Sequence, residues 1–166
     1  MKIDINFHWQ RGVLEKFDAA PEVIEKAMRF AVQRVTQWAV SQVTRGVAKA
    51  AGVQLRVIKG RVHITIRDGF GWVWVGLNPI SARRLDPQEV SGGVQAAGRF
   101  FPDAFIVKGN GPLAGQVMVR RGPERLPIDK QVVDIEAQST PVVQKISDEV
   151  NARLSAEFER QVKRLL

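Results

Sequence analysis

KGNGPLAGQVMVRRG, residues 108–122, sets Gly109, Gly111 and Gly115 around Pro112, directly after the apolar run Phe105, Ile106 and Val107. Such a stretch is either a loop that cradles phosphate or a turn between two strands. A phosphate loop takes the form G-x-x-x-x-G-K-[ST], following a strand and opening a helix. Here Lys108 precedes the glycines, and neither Lys-Ser nor Lys-Thr follows Gly115. Gln116 to Arg120 alternates as a strand does, so the helix N-terminus that a phosphate needs is missing. Residues 109–115 therefore read as a hairpin loop, and the fold around them as antiparallel β-structure.

Upstream the same pattern repeats. Arg61 to Arg67 alternates Val62, Ile64 and Ile66 with His63 and Thr65, Asp68-Gly69 is a turn signal, and Gly71 to Leu77 returns through Trp72, Val73, Trp74 and Val75. Val94 to Phe101, Phe105 to Lys108 and Gln116 to Arg120 extend the sheet. Lys2 to His8 alternates Ile3, Ile5 and Phe7 against Lys2, Asp4 and Asn6, a half-buried strand. Leu126 to Ile135 reads as irregular or extended.

Two helices frame these strands. Asp18 and Pro21 mark the start of the first, which runs from about Pro21 to Ala51 and stops at Gly52. At about 100° per residue, Ile24, Met28, Ala31, Val32, Val35, Ala39, Val43 and Ala50 form one stripe. Lys26, Gln33, Gln37, Ser41 and Thr44 fall opposite. Phe30 and Val40 lie off the stripe, as a subunit contact or as a second wall of the same core. The last helix opens with Thr140 as N-cap and Pro141 as first helical residue. Val143, Ile146, Val150, Leu154, Phe158, Val162 and Leu165 carry its stripe to the end. The expected fold is α+β, an antiparallel sheet of about five to six short strands packed by the long helix and the C-terminal helix. At 166 residues, the chain 1–166 reads as a single domain.

Composition narrows the function. With no cysteine there is no disulfide framework, thiolate nucleophile or cysteine-bound metal, which suits a reducing cytoplasm. The N-terminus lacks the apolar run of a signal peptide, and no stretch approaches the roughly 18 to 20 apolar residues of a membrane span. The net charge of +8 is uneven. From Lys26 to Arg67 there are nine basic residues and no acid, whereas 131–166 is close to neutral. A basic block of this length implies an acidic partner, nucleic acid or protein, or else a solvated face paired elsewhere.

Catalytic patterns are missing. His8 and His63 show no metal-ligand spacing, none of the serines sits in G-x-S-x-G, and Asp134 and Glu136, alternating on an extended segment, have no pocket suggested around them. No enzyme activity and no cofactor are expected. Paired arginines at strand ends and loops are reachable by a ligand, so Arg83, Arg84, Arg120, Arg121 and Arg125 are candidates for a DNA- or partner-facing surface. The plainer alternative pairs Arg84 with Asp86 and Arg121 with Glu124 as turn staples. Lys49, Arg56, Lys59 and Arg61, at the helix exit and hairpin entry, form a second candidate patch. Trp72 and Trp74 share a strand face, where they either stack bases or pack in a core or interface.

Three composite stretches stand out: WVWVGLNPISARRL (72–85), GRFFPDAFIV (98–107) and QVMVRRGPERLPI (116–128). In the last, a proline breaks the ladder and Leu-Pro-Ile reads as an extended arm suited to lying across a neighbour. With the long helix entering GVQLRVIKGRV and the closing helix after STP, the chain from about Phe17 to Leu166 resembles the prophage minor tail protein Z family of long-tailed phages. The resemblance implies a structural virion protein made in the bacterial host cytoplasm. It would act in tail completion and head–tail joining at the head-proximal end of the tail. Its implied partners are other tail or connector proteins and copies of itself in a ring, commonly six-fold, around a channel that DNA crosses. DNA contact would be non-specific and salt-dependent. The alternative is a small basic nucleic-acid-binding module.

Overall fold

The computed structural model describes residues 1–6, 20–67 and 69–166. The architecture is α+β, built on two long helices, α1 (Pro21–Ala51) and α3 (Glu136–Leu165), with a one-turn α2 (Leu55–Lys59). Gly46 faces Val142, the Arg153 guanidinium lies over the Trp38 ring, and Arg34 reaches Glu157. The helices therefore run antiparallel.

α1 begins and ends where the sequence predicts. Pro21 occupies its first turn behind an extended Ala20, and Glu22 sits near the positive end of the helix dipole. At the other end Gly52 turns left-handed at φ 60°. Its N–H donates to the Lys49 carbonyl at 3.2 Å and that of Val53 to the Ala48 carbonyl at 3.0 Å. This is a Schellman closure, which only glycine enters without strain. Of the predicted stripe, Ile24, Ala31, Val32, Val35, Ala39 and Val43 are buried. Met28 and Ala50 are half-buried. Ala27, Thr36, Thr44, Val47 and Ala48 are buried as well, because α1 has a sheet on one side and α3 on another. Thr44, expected to face outward, is thus enclosed, its hydroxyl donating to the Val40 carbonyl at 2.7 Å. Val40 packs on the main core and Phe30 stays exposed.

The first sheet orders β1 (Lys2–Ile5), β3 (Phe70–Val75) and β2 (Val62–Arg67) antiparallel, with β3 central. Ile3, Ile5, Val73 and Val75 face the helices. Gly71 stands where α1 comes closest: a Cβ there would lie 2.1 Å from Thr36 Oγ1 and 3.2 Å from Val32 Cγ1. His8 and Asp18 lie outside the described residues.

The remaining strands differ from the single sheet expected. They form three further small antiparallel sheets: β4 (Ile80–Ser81) with β11 (Val132–Val133); β5 (Gln88–Val90), β6 (Gly93–Ala96) and β7 (Arg99–Pro102); and β8 (Ala104–Ile106), β9 (Val117–Arg120) and β10 (Ile128–Lys130). The run Val94–Phe101 is broken because Ala97 and Gly98 both take positive φ, 47° and 72°, which reverses the chain between β6 and β7. The segment Leu126 to Ile135, expected to be irregular or an extended arm, does not stand free. Ile128 pairs with Arg120 and Val132 with Ser81, so the segment folds back as β10 and β11. These strands are too short for alternation to register. α3 also starts earlier than Pro141: Asp134 Oδ1 accepts the Glu136 N–H at 2.9 Å, and the Ser139 N–H bonds the Ile135 carbonyl at 3.1 Å. Pro141 then falls inside the helix.

Residues 109–115 are the hairpin loop between β8 and β9. Gly109 and Gly115 take φ of 101° and 74°, and the Gly115 N–H closes the loop on the Val107 carbonyl at 2.8 Å. Beneath these small sheets Ala82, Val94, Ala104 and Val117 form a second, minor core. Gly71→Ala is predicted to destabilise the chain by about 1–3 kcal/mol, the range for overpacking a filled core, read from the urea midpoint at unchanged slope. An unaltered midpoint would mean α1 does not sit this close to β3.

Candidate interaction surfaces

The candidate arginines do not form one cluster. Arg83 and Arg84 sit on the 3-10 turn Ala82–Leu85. Arg83 passes over the Gly115 backbone, where a Cβ would lie 3.3 Å from its Nε. Arg120 closes β9, with Arg121 and Arg125 in the following loop. Five residues of extended chain separate Gly115 from Arg120, roughly 17 Å. At that far end the Arg120 guanidinium lies 5.3 Å from the centroid of the Phe105 ring and donates to the Arg125 carbonyl at 2.9 Å. Arg121 grips Asp129 with two bonds, at 2.5 and 2.9 Å. Glu124, its expected partner, is not the one used, because pairing β10 with β9 brings Asp129 opposite Val119, one residue from Arg121's own strand end.

Members of the second patch divide by role. Arg56 makes a forked contact with Asp86 at 2.5 Å and donates to Gln54 at 2.6 Å, tying α2 to the 3-10 turn. Asp86 is therefore held by Arg56 rather than by Arg84, and sits left-handed at φ 51°. Arg61 is a turn clamp: its guanidinium donates to the Asn78 carbonyl at 2.7 Å and to Asn78 Oδ1 at 2.9 Å, and reaches the Gly76 and Pro79 carbonyls at 3.3 Å. Burial first, and then the charge of Arg84, push its pKa below the ordinary arginine value. Lys49 and Lys59 are exposed and make no ion pair among the described residues.

Trp72 and Trp74 lie on the face of the first sheet turned away from the helices. Phe70 and Trp72 stack with centroids 6.1 Å apart, Trp74 lies 5.7 Å from His63, and the Lys2 ammonium stands 5.6 Å from the Trp72 ring. Trp74 is 48% and Phe70 45% exposed. β2, at the sheet edge, adds exposed Ile64 and Ile66 on the other face.

One functional-looking group has a structural role. Glu157 is buried, accepting from Gln161 at 2.7 Å and Arg160 at 3.0 Å while Arg34 of α1 stands at 3.6 Å. It joins the two helices. The i, i+3, i+4 spacing of 157, 160 and 161 was its sequence signal. Asp134 and Glu136 do not act as a pair, since Asp134 caps the helix that Glu136 begins. Among the described residues no group of three or more His, Asp and Glu could hold a metal ion, and no helix is long and apolar enough to cross a membrane. Comparison with protein-family models, curated proteins and solved structures returns no match.

Hydrogen bonding from Arg121 holds Asp129 below the ordinary aspartate pKa. Since the folded value is depressed, this pair stabilises the fold above the ordinary value and stops doing so as pH falls through the lowered one. In a carboxyl-carbon NMR titration Asp129 is predicted to titrate low, and Arg121→Gln to move it upward. An identical Asp129 titration in that variant would show the fork is not formed in solution.

Proposed function

We propose that this chain is a structural protein of a phage or prophage tail, acting in tail completion and head–tail joining at the head-proximal end. The support is the resemblance to the minor tail protein Z family, and one structural observation gives it weight. Parts of the three composite stretches meet in the minor core, while Val73, Val75, Leu77, Ile80 and Leu85 of the first belong to the main core. WVGLNPISARRL contributes Ala82 to the minor core, GRFFPDAFIV contributes Ala104 and Phe101, and QVMVRRGPERLPI contributes Val117 and Val119. On this reading the exposed basic side chains contact neighbouring tail proteins or, non-specifically, the phosphates of passing DNA, and catalysis plays no part. Copies of the chain assemble as a ring, with six-fold symmetry in the form the resemblance implies. An epitope-tagged copy in purified particles should be found by immunogold labelling at the tail–head junction. Label along the tube, at the baseplate, or absent from particles would contradict the proposal.

A second reading has an observation of its own. Phe70, Trp72 and Trp74 on an open sheet face, flanked by Lys2 and His63, suit base stacking in a nucleic-acid-binding module. This reading predicts that a short single-stranded oligonucleotide quenches tryptophan fluorescence, and that Trp74→Ala weakens its affinity about tenfold, from the roughly 1–3 kcal/mol that a stacked base contributes. Binding unaffected by Trp74→Ala would dismiss it.

A further inference from the structure

Beyond the candidate arginines lies a groove of about 650 Å³ between the C-terminal half of α1 and the beginning of α3. Its shape follows from one close approach. Gly46 meets Val142, where a Cβ would come within 2.6 Å of Val142 Cγ1. The floor is apolar, formed by Trp38, Val142 and Ile146. The rim is basic: Arg45 and Lys49 stand on α1 and Lys145 on α3, with Glu149 as the one acid on the lining. All three cations are exposed, and none forms an ion pair among the described residues. Arg153 adds a further positive charge, its guanidinium 4.2 Å from the centroid of the Trp38 ring.

We propose that this groove is a docking site for an acidic amphipathic helix of a partner protein. The charge of the rim sets the sign of the occupant, and the floor sets its kind. Duplex DNA would satisfy the cations through its phosphates but offers nothing to Trp38, Val142 and Ile146. A helix with apolar residues at i, i+3, i+4 and i+7 and carboxylates on its flanks satisfies both. It would lie along the seam between α1 and α3 as a third helix. Electrostatic attraction of this type speeds association and selects against basic partners more than it adds affinity. The site also accounts for part of the acid-free run from Lys26 to Arg67: an acid at position 45 or 49 would repel the occupant. The inference rests on the groove's own chemistry and holds whether or not the assembly is a tail.

The test uses the intact chain and a fluorescently labelled peptide of about 18 residues, five helical turns, with leucines on one face and glutamates elsewhere. Fluorescence anisotropy should show saturable binding. The double variant Lys49→Glu/Lys145→Glu should weaken it at least tenfold, while Lys130→Glu, on β10 and not on the groove lining, should leave it unchanged. The same peptide with lysines in place of glutamates should not bind. Failure of the glutamate peptide to bind, undiminished binding to the double variant, or its displacement by a stoichiometric amount of short duplex DNA would each overturn the proposal.

Discussion

The structure depends on α1 serving two neighbours at once. On one side it lies so close to β3 that the strand needs Gly71 beneath Thr36 and Val32. On the other it meets α3 at Gly46, where Val142 fills the space that a side chain would take. Small residues at these two contacts let a single helix, lined with Ala and Val, join sheet and helix into one core. The polar joint at Glu157 fixes how α3 lies against it. A buried carboxylate of this kind is tolerated only because three side chains surround its two oxygens.

The small sheets depend on that core without enlarging it much. They hang from its edge through β4, β11 and the clamps of Arg61 and Arg56. Their side chains bury a minor core of mostly small residues. Surface is what this arrangement provides: loops 109–115 and 121–127, the aromatic face of the first sheet, and the groove between the helices. Charge follows the same division. Arg56, Arg61 and Arg121 are committed to holding turns and strands in place, and Lys49, Lys59, Arg45 and Lys145 are left at the surface. Exposed ion pairs add little to stability, while uncommitted surface cations direct association with acidic partners.

What was legible in the sequence was what repeats. Thirty-one residues of α1 have a period, a proline at the front and a glycine at the end, and its bounds were readable to the residue. The β2–β3 hairpin was legible for the same reason. Strands of two and three residues carry no period, so β10 and β11 were invisible and their segment read as a free arm. The start of α3 was misplaced because Thr140-Pro141 is a strong local signal, while the capping Asp134 belongs to a strand end that was itself unseen. Arginine pairing was illegible for a related reason: Asp86 and Asp129 find their partners across tertiary contacts, not along the chain. The groove between the helices had one sequence sign, the absence of acids from 26 to 67, and no sign of its apolar floor.

The central proposal is that this chain joins other proteins at the head-proximal end of a tail. Electron microscopy of particles made with and without its gene tests it most directly. The account predicts that, without it, tails remain unjoined to heads or lack a defined head-proximal end, and that supplying the protein restores joining. Normal, head-joined tails in its absence would contradict the account.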